Sequence, residues 1–187
     1  MIKRLLRFLK GDKQVPVRLH NNYGGFLYNL SFYLREWDQK SEIGGLLYGR
    51  RRGDEIQIFS ADLIKNVAPD VGKNYMADPG EQQRIIMERI KNRIYEEYKF
   101  KHIGDFHTHP NSSPKVSRTD LQCIKQVFKD HLDDYYILVI ASCRKFLPGF
   151  EAWVYIFDRA TIDEYVTGKY TLFGEVPEPV EKIMIDD

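Results

Sequence analysis

Residues 102–120 read HIGDFHTHPNSSPKVSRTD, two histidines one residue apart followed, eleven positions after the second, by an aspartate. His107 and His109 fall where a strand, KHIGDFH, runs out. Alternate residues of an extended chain point to the same side, so both imidazoles can face one ion. A helix would turn residues i and i+2 away from each other. Pro110 and Pro114 then end the strand and stiffen a turn-rich loop, NSSPKVS, that brings the chain back over the histidines. Ser117 stands before Arg118-Thr119-Asp120, where a helix begins. It has a plain structural role there as N-cap, forming with Asp120 a capping-box-like S-x-x-D that leaves the aspartate a partner of the helix dipole. The same geometry turns the Asp120 side chain toward the loop it closes. His107, His109 and Asp120 then match the ligand set of a catalytic zinc site, whose fourth position is left to water. A structural zinc takes four protein ligands, usually with cysteine, and neither Cys123 nor Cys143 is expected near this stretch.

Working outward, strands are expected at IGGLLYG, EIQIFSADLI, KHIGDFH, YYILVIAS and FEAWVYIFD. Helices are expected from Phe26 to Trp37, where Phe26, Leu27, Leu30, Tyr33, Leu34 and Trp37 recur at helical spacing, and from Asp78-Pro79 onward, with Ile85, Ile86, Ile90 and Ile94 inward. A further helix runs from Arg118 to about Leu132. Helices alternating with mostly apolar strands predict an α/β (α+β) fold with a central mixed β-sheet flanked by helices. The connection from Asn66 to Pro79 is long, and long connections are often functional. Arg50, Arg51 and Arg52 read as a solvated turn or as a substrate-facing basic patch. Gly44, Gly45 and Gly49 permit close sheet packing or leave room for an extended substrate. Asp105, two residues before His107, is a candidate outer partner of that histidine. His102 and His131 read as ordinary surface or edge histidines.

Composition excludes several classes. The chain has 187 residues, 43% hydrophobic and 29% charged, which fits one globular domain. Lysine and arginine number 28 against 27 acidic residues, so no global charge argues for nucleic acid. Two cysteines, Cys123 and Cys143, make no disulfide framework and read as buried free thiols in a reducing compartment. The opening MIKRLLRFLKGDKQ is amphipathic and basic, suited to docking on the core, an anionic membrane surface or a partner groove. Lys3, Arg4, Arg7 and Lys10 interrupt it too often for a secretory signal. With no apolar run long enough for a membrane span, a cytoplasmic location is expected.

The pattern H-x-H-P-x6-S-x-x-D, carried by His107, His109, Pro110, Ser117 and Asp120, resembles the signature of the JAMM/MPN metalloprotease family. That signature includes an upstream glutamate at a strand edge. Glu42 stands there, and its E-x-G-G-x-L-x-G segment is similar to the family's. The resemblance implies a JAMM/MPN (cytidine-deaminase-like) domain over residues 26–160, an N-terminal extension with a short amphipathic basic helix over 1–25, and a C-terminal extension over 161–187. It implies one Zn2+ held by His107, His109 and Asp120, Glu42 as general base and Ser117 as oxyanion donor. It implies cleavage after the C-terminal glycine of a ubiquitin-like protein, in deconjugation or precursor processing. The implied partners are that protein or its conjugates, and conjugation-machinery proteins. The short form resembles bacterial members tied to ubiquitin-like pathways, some of them antiphage. A non-catalytic MPN scaffold and a zinc amidohydrolase acting on a small amide remain as alternatives. There is no H-E-x-x-H, and no H-x-E with P-C-x-x-C.

Overall fold

The computed structural model describes residues 17–19, 30, 33–34, 40–53, 55–70, 72–92, 101–130, 133–142, 150–159 and 168–174. They form strands β1 (Val17–Leu19), β2 (Gly44–Arg52), β3 (Glu55–Ile64), β4 (Lys101–Thr108), β5 (Tyr135–Ser142), β6 (Phe150–Asp158) and β7 (Gly168–Gly174). Two helices accompany them, α1 (Pro79–Lys91) and α2 (Arg118–Asp130). The strands make one seven-stranded sheet in the order β1-β3-β2-β4-β5-β6-β7. β1 runs parallel to β3 and β4 parallel to β5, while the other neighbours are antiparallel, so the sheet is mixed as expected. The five expected strands are β2 to β6. The outermost strands, β1 and β7, come from the segments on either side of residues 26–160, so the sheet extends beyond that range. The N-terminal helix, His131, Cys143 and the end of the chain lie outside the described residues.

Every residue of β5 is buried, because both faces of the sheet are covered there. That burial is why YYILVIAS reads as a continuous apolar run and not as an alternating one. On one face Ile137, Val139 and Ala141 pack with Leu47, Phe106 and Val154 beneath the helical residues Leu30, Tyr33 and Leu34. On the other, Tyr136, Leu138 and Ile140 meet Ile124 and Phe128 of α2. Among the described residues no helix is long and apolar enough to cross a membrane.

Helix α1 starts as its sequence dictates, with Asp78 as N-cap accepting from the Glu81 N–H and proline in the first turn. It covers Leu46, Tyr48 and Ile64 through Ile85 and Ile86. Ile90, expected to face inward, is instead 51% exposed, and Ile94 lies outside the described residues. Arg89 explains the difference. Its guanidinium sits 3.9 Å from the centre of the Tyr48 ring and donates to both Asp62 carboxylate oxygens at 2.7 Å, so an ion pair takes up the contact an isoleucine would have made. The three arginines lie at the end of β2 remote from Gly44. Arg50, Arg51 and Arg52 are not a solvated turn but the last residues of β2, paired with Gln57, Ile56 and Glu55, where the Arg50 Nε–H donates to Gln57 and the Arg51 Nε–H to the Gly53 carbonyl.

Replacing Arg89 with alanine is expected to lower unfolding free energy by about 2 kcal/mol, since it leaves Asp62 partly buried without its bidentate partner. Chemical denaturation checks this, and a loss under about 0.5 kcal/mol would place the pair among weak surface contacts.

Candidate metal centre

The end of β4 is clamped from both sides. In the sheet His107 stands opposite Gly44 of β2 and Ile140 of β5. The pairing then continues beyond the strands. The Thr108 N–H donates to the Ile43 carbonyl at 2.8 Å, the Ile43 N–H to the Thr108 hydroxyl at 3.0 Å, and the His109 N–H to the Ala141 carbonyl at 2.9 Å. The chain therefore stays extended through His109, which is what points both rings to one side.

The two Nε2 atoms lie 3.2 Å apart. Asp120 brings Oδ1 to 3.3 Å from the Nε2 of His107 and Oδ2 to 3.8 Å from that of His109. Ligands around a tetrahedral ion with bonds of 2.0–2.1 Å stand about 3.3 Å apart, so these separations suit zinc. The protonation states suit it as well. Burial lowers the pKa of His107 against the opposing pull of Asp120, which leaves a neutral imidazole at physiological pH. His109 places Nδ1 3.2 Å from the Ser113 carbonyl. A carbonyl can only accept, so this contact suits the Nδ1–H tautomer, which turns Nε2 toward the cluster. His107, His109 and Asp120 are thus brought together in a form that could hold the ion.

Ser117 and Asp120 form the expected cap. The Ser117 N–H donates to Asp120 Oδ2 at 2.6 Å, and the Asp120 N–H donates to the Ser117 hydroxyl at 3.1 Å. The hydroxyl acts as acceptor in this cap, which leaves its own proton to donate elsewhere. Capping and a role in the cleft are therefore compatible.

Glu42 continues the line of β2 past Gly44 and enters the same cleft, a cavity of about 340 Å³ that it lines with His109, Ser117 and Asp120. It is only 6% exposed. Burial, then Asp120 and Asp70, raise its carboxyl from 4.5 to about 7. Among the described residues no hydrogen-bond donor meets that carboxylate.

Several participants have no signal in the local sequence. Tyr75 lines the cleft with its ring 9° from the plane of His107 and 6.4 Å from it, centre to centre. Gly44 makes that possible, since a Cβ there would come within 2.8 Å of the Tyr75 ring. At Gly45 and Gly49 a Cβ would meet the backbone oxygens of Asp62 and Gln57 at 1.8 and 2.1 Å, which is the close-packing role. Asp105 does not bond His107. It accepts from the Tyr136 hydroxyl and lies 3.1 Å from the Nε2 of His102, so it reaches His107 only through its charge. His102 is accordingly a paired residue and not an ordinary edge histidine. Cys123, expected to be buried and remote, is exposed and lines the cleft as well, because it sits on the face of α2 that turns to the opening. It follows Asp120 by three residues on α2, a spacing that puts both on one helix face.

A mixed sheet in which β4 runs out in H-x-H beside the first turn of α2 thus gathers two histidines and an aspartate that could hold a metal ion. The sequence profile of the family described as prokaryotic homologs of the JAB domain matches residues 32–155. The chain belongs to this family, the prokaryotic branch of the JAMM/MPN proteins. No curated protein sequence matches it. Among solved structures it is similar to the solution structure of protein DSY2949 from Desulfitobacterium hafniense, at 18% identity and a TM-score of 0.54, over 84% of this chain and 88% of that one. That likeness concerns the fold.

The raised Glu42 carboxyl has a consequence for stability. The folded state binds this proton more tightly than the unfolded chain does, so ionising it destabilises the fold progressively from about pH 4.5 to about pH 7 and fully above. Glu42→Gln is expected to stabilise the metal-free protein at pH 8 by on the order of 2 kcal/mol and to change little at pH 4. Thermal or denaturant unfolding at the two pH values checks this, and equal effects at both would contradict it.

Proposed function

We propose that the chain is a zinc-dependent isopeptidase or peptidase that cleaves after the C-terminal glycine of a ubiquitin-like protein, in deconjugation or precursor processing. One observation carries this reading. A histidine-histidine-aspartate cluster shares a cleft with a buried carboxylate of raised pKa and a serine whose hydroxyl accepts in its cap and so keeps its proton for donation.

His107, His109 and Asp120 would hold the ion, which when bound acidifies water and polarises the scissile carbonyl. Glu42 takes the proton of the attacking water and returns it to the nitrogen of the departing amine, so the carboxylate is regenerated at each turnover. Burial of this carboxylate raises its proton affinity, the direction that suits a group which must take a proton and hold it until it is returned. Ser117 donates its hydroxyl proton to the oxygen that gains charge as the carbonyl carbon becomes tetrahedral, an interaction made mainly in the transition state. The partners in this reading are a ubiquitin-like protein or its conjugates and proteins of the conjugation machinery. The setting is a bacterial cytoplasmic pathway, with antiphage defence as one such setting.

The scaffold alternative has less to support it. A purely structural domain gains nothing from burying the Glu42 carboxylate, which meets no donor among the described residues and whose ionisation destabilises the fold. A zinc amidohydrolase has one observation in its favour, a cavity of about 340 Å³ that falls within the range of small-molecule sites.

The test is metal content together with cleavage of C-terminally extended ubiquitin-like proteins. The expected result is one zinc per chain, lost in His109→Ala, with cleavage abolished in Glu42→Ala. Ser117→Ala should lower kcat about a hundredfold. Zinc binding without cleavage of any tailed protein would favour the scaffold, and hydrolysis confined to small amides the amidohydrolase.

A further inference from the structure

Asn66 follows β3 and opens the connection to α1, and its side chain bonds four backbone groups. The Nδ2 amide donates to the Glu42 carbonyl at 2.8 Å and to the Asn74 carbonyl at 2.9 Å. Its Oδ1 accepts from the Ala68 N–H at 2.9 Å and the Met76 N–H at 3.1 Å. Both donor protons and both lone pairs are engaged.

The two halves of this set do different things. The acceptor bonds fold the connection on itself, together with the Val67 N–H to Met76 carbonyl bond at 2.8 Å and the Asp78 N–H to Lys65 carbonyl bond at 3.0 Å. An asparagine doing only this would be an ordinary turn residue. The donor bonds reach elsewhere. One holds Asn74, which walls the cleft beside Tyr75. The other crosses 24 residues of sequence to the main chain of Glu42 itself. Glu42 precedes β2, whose ladder with β3 and β4 begins at Gly44. On its C-terminal side Ile43 is fixed by Thr108, and Asn66 grips the carbonyl between them.

We propose that Asn66 is the positioning residue of Glu42, fixing the peptide from which the carboxylate reaches into the cleft and tying it to the wall at Asn74 and Tyr75. The inference rests on the general-base role proposed for Glu42. Asn66 touches neither substrate nor ion. It acts by holding the distance between Glu42 and the reacting water, and a displacement of about 1 Å at such a point can reduce rate about a hundredfold.

Asn66→Asp separates the two halves, because a carboxylate keeps the acceptors that close the connection and loses both donors. In the full chain loaded with zinc, this variant is expected to lose kcat about tenfold to a hundredfold, with KM within about twofold and zinc content unchanged. Asp78→Ala serves as control. It removes the cap of α1 at the far end of the connection and so lowers stability without touching Glu42, and it should keep wild-type kcat. Wild-type kcat in Asn66→Asp would overturn the inference, and so would an equal loss in Asp78→Ala, which would reduce Asn66 to a stability effect. If the zinc-loaded wild type cleaves no substrate, the proposed function fails and a crystal structure of Asn66→Asp decides the inference. Displacement of the Glu42 peptide supports it, and an unmoved Glu42 overturns it.

Discussion

Thr108 donates its N–H to the Ile43 carbonyl and accepts the Ile43 N–H on its hydroxyl, and the geometry of the site depends on that exchange. It prolongs the pairing of β2 with β4 by one residue at the point where a strand would normally fray. His107 and His109 stay on the same side of an extended chain only because the backbone between them is held in this way. The same bonds bring Glu42, next to Ile43, alongside the end of β4. Thr108 is wholly buried, which shields the exchange from competing water.

The site concentrates groups that a fold optimised for stability would avoid. A buried imidazole is kept neutral, a buried carboxyl has its pKa raised to about 7 with no donor to it among the described residues, and glycine is required at position 44 so that Tyr75 can approach. The rest of the molecule offsets these with a sheet buried on both faces at β5 and with helices packed on it through Ile124, Phe128, Ile85 and Ile86. Strain of this kind gathers where chemistry is done.

Much of this was legible in the sequence because each ligand obeys a local rule. Strand alternation orients His107 and His109, and capping geometry orients Asp120 and Ser117, so spacing alone brought out the cluster. Glu42 was legible only through resemblance, since a lone glutamate before a strand has no local signature. Asn66, Tyr75 and Asp105 were not legible in these roles. Asn66 bonds only backbone groups, which any residue supplies, while the side chains that Tyr75 and Asp105 meet, His107 and Tyr136, lie far along the chain. Ile90 misled because periodicity counts apolar residues and cannot see that Arg89 has a carboxylate and an aromatic face waiting on the sheet. The short strands β1 and β7 join the sheet by pairing with a neighbour already in place, and no long apolar run announces them.

The central claim is the ligand set, and X-ray absorption at the zinc edge of the zinc-loaded protein tests it most directly. The account predicts nitrogen and oxygen neighbours only, at about 2.0–2.2 Å, with two imidazoles in the shell. A sulfur neighbour at about 2.3 Å would bring in Cys123 and contradict it.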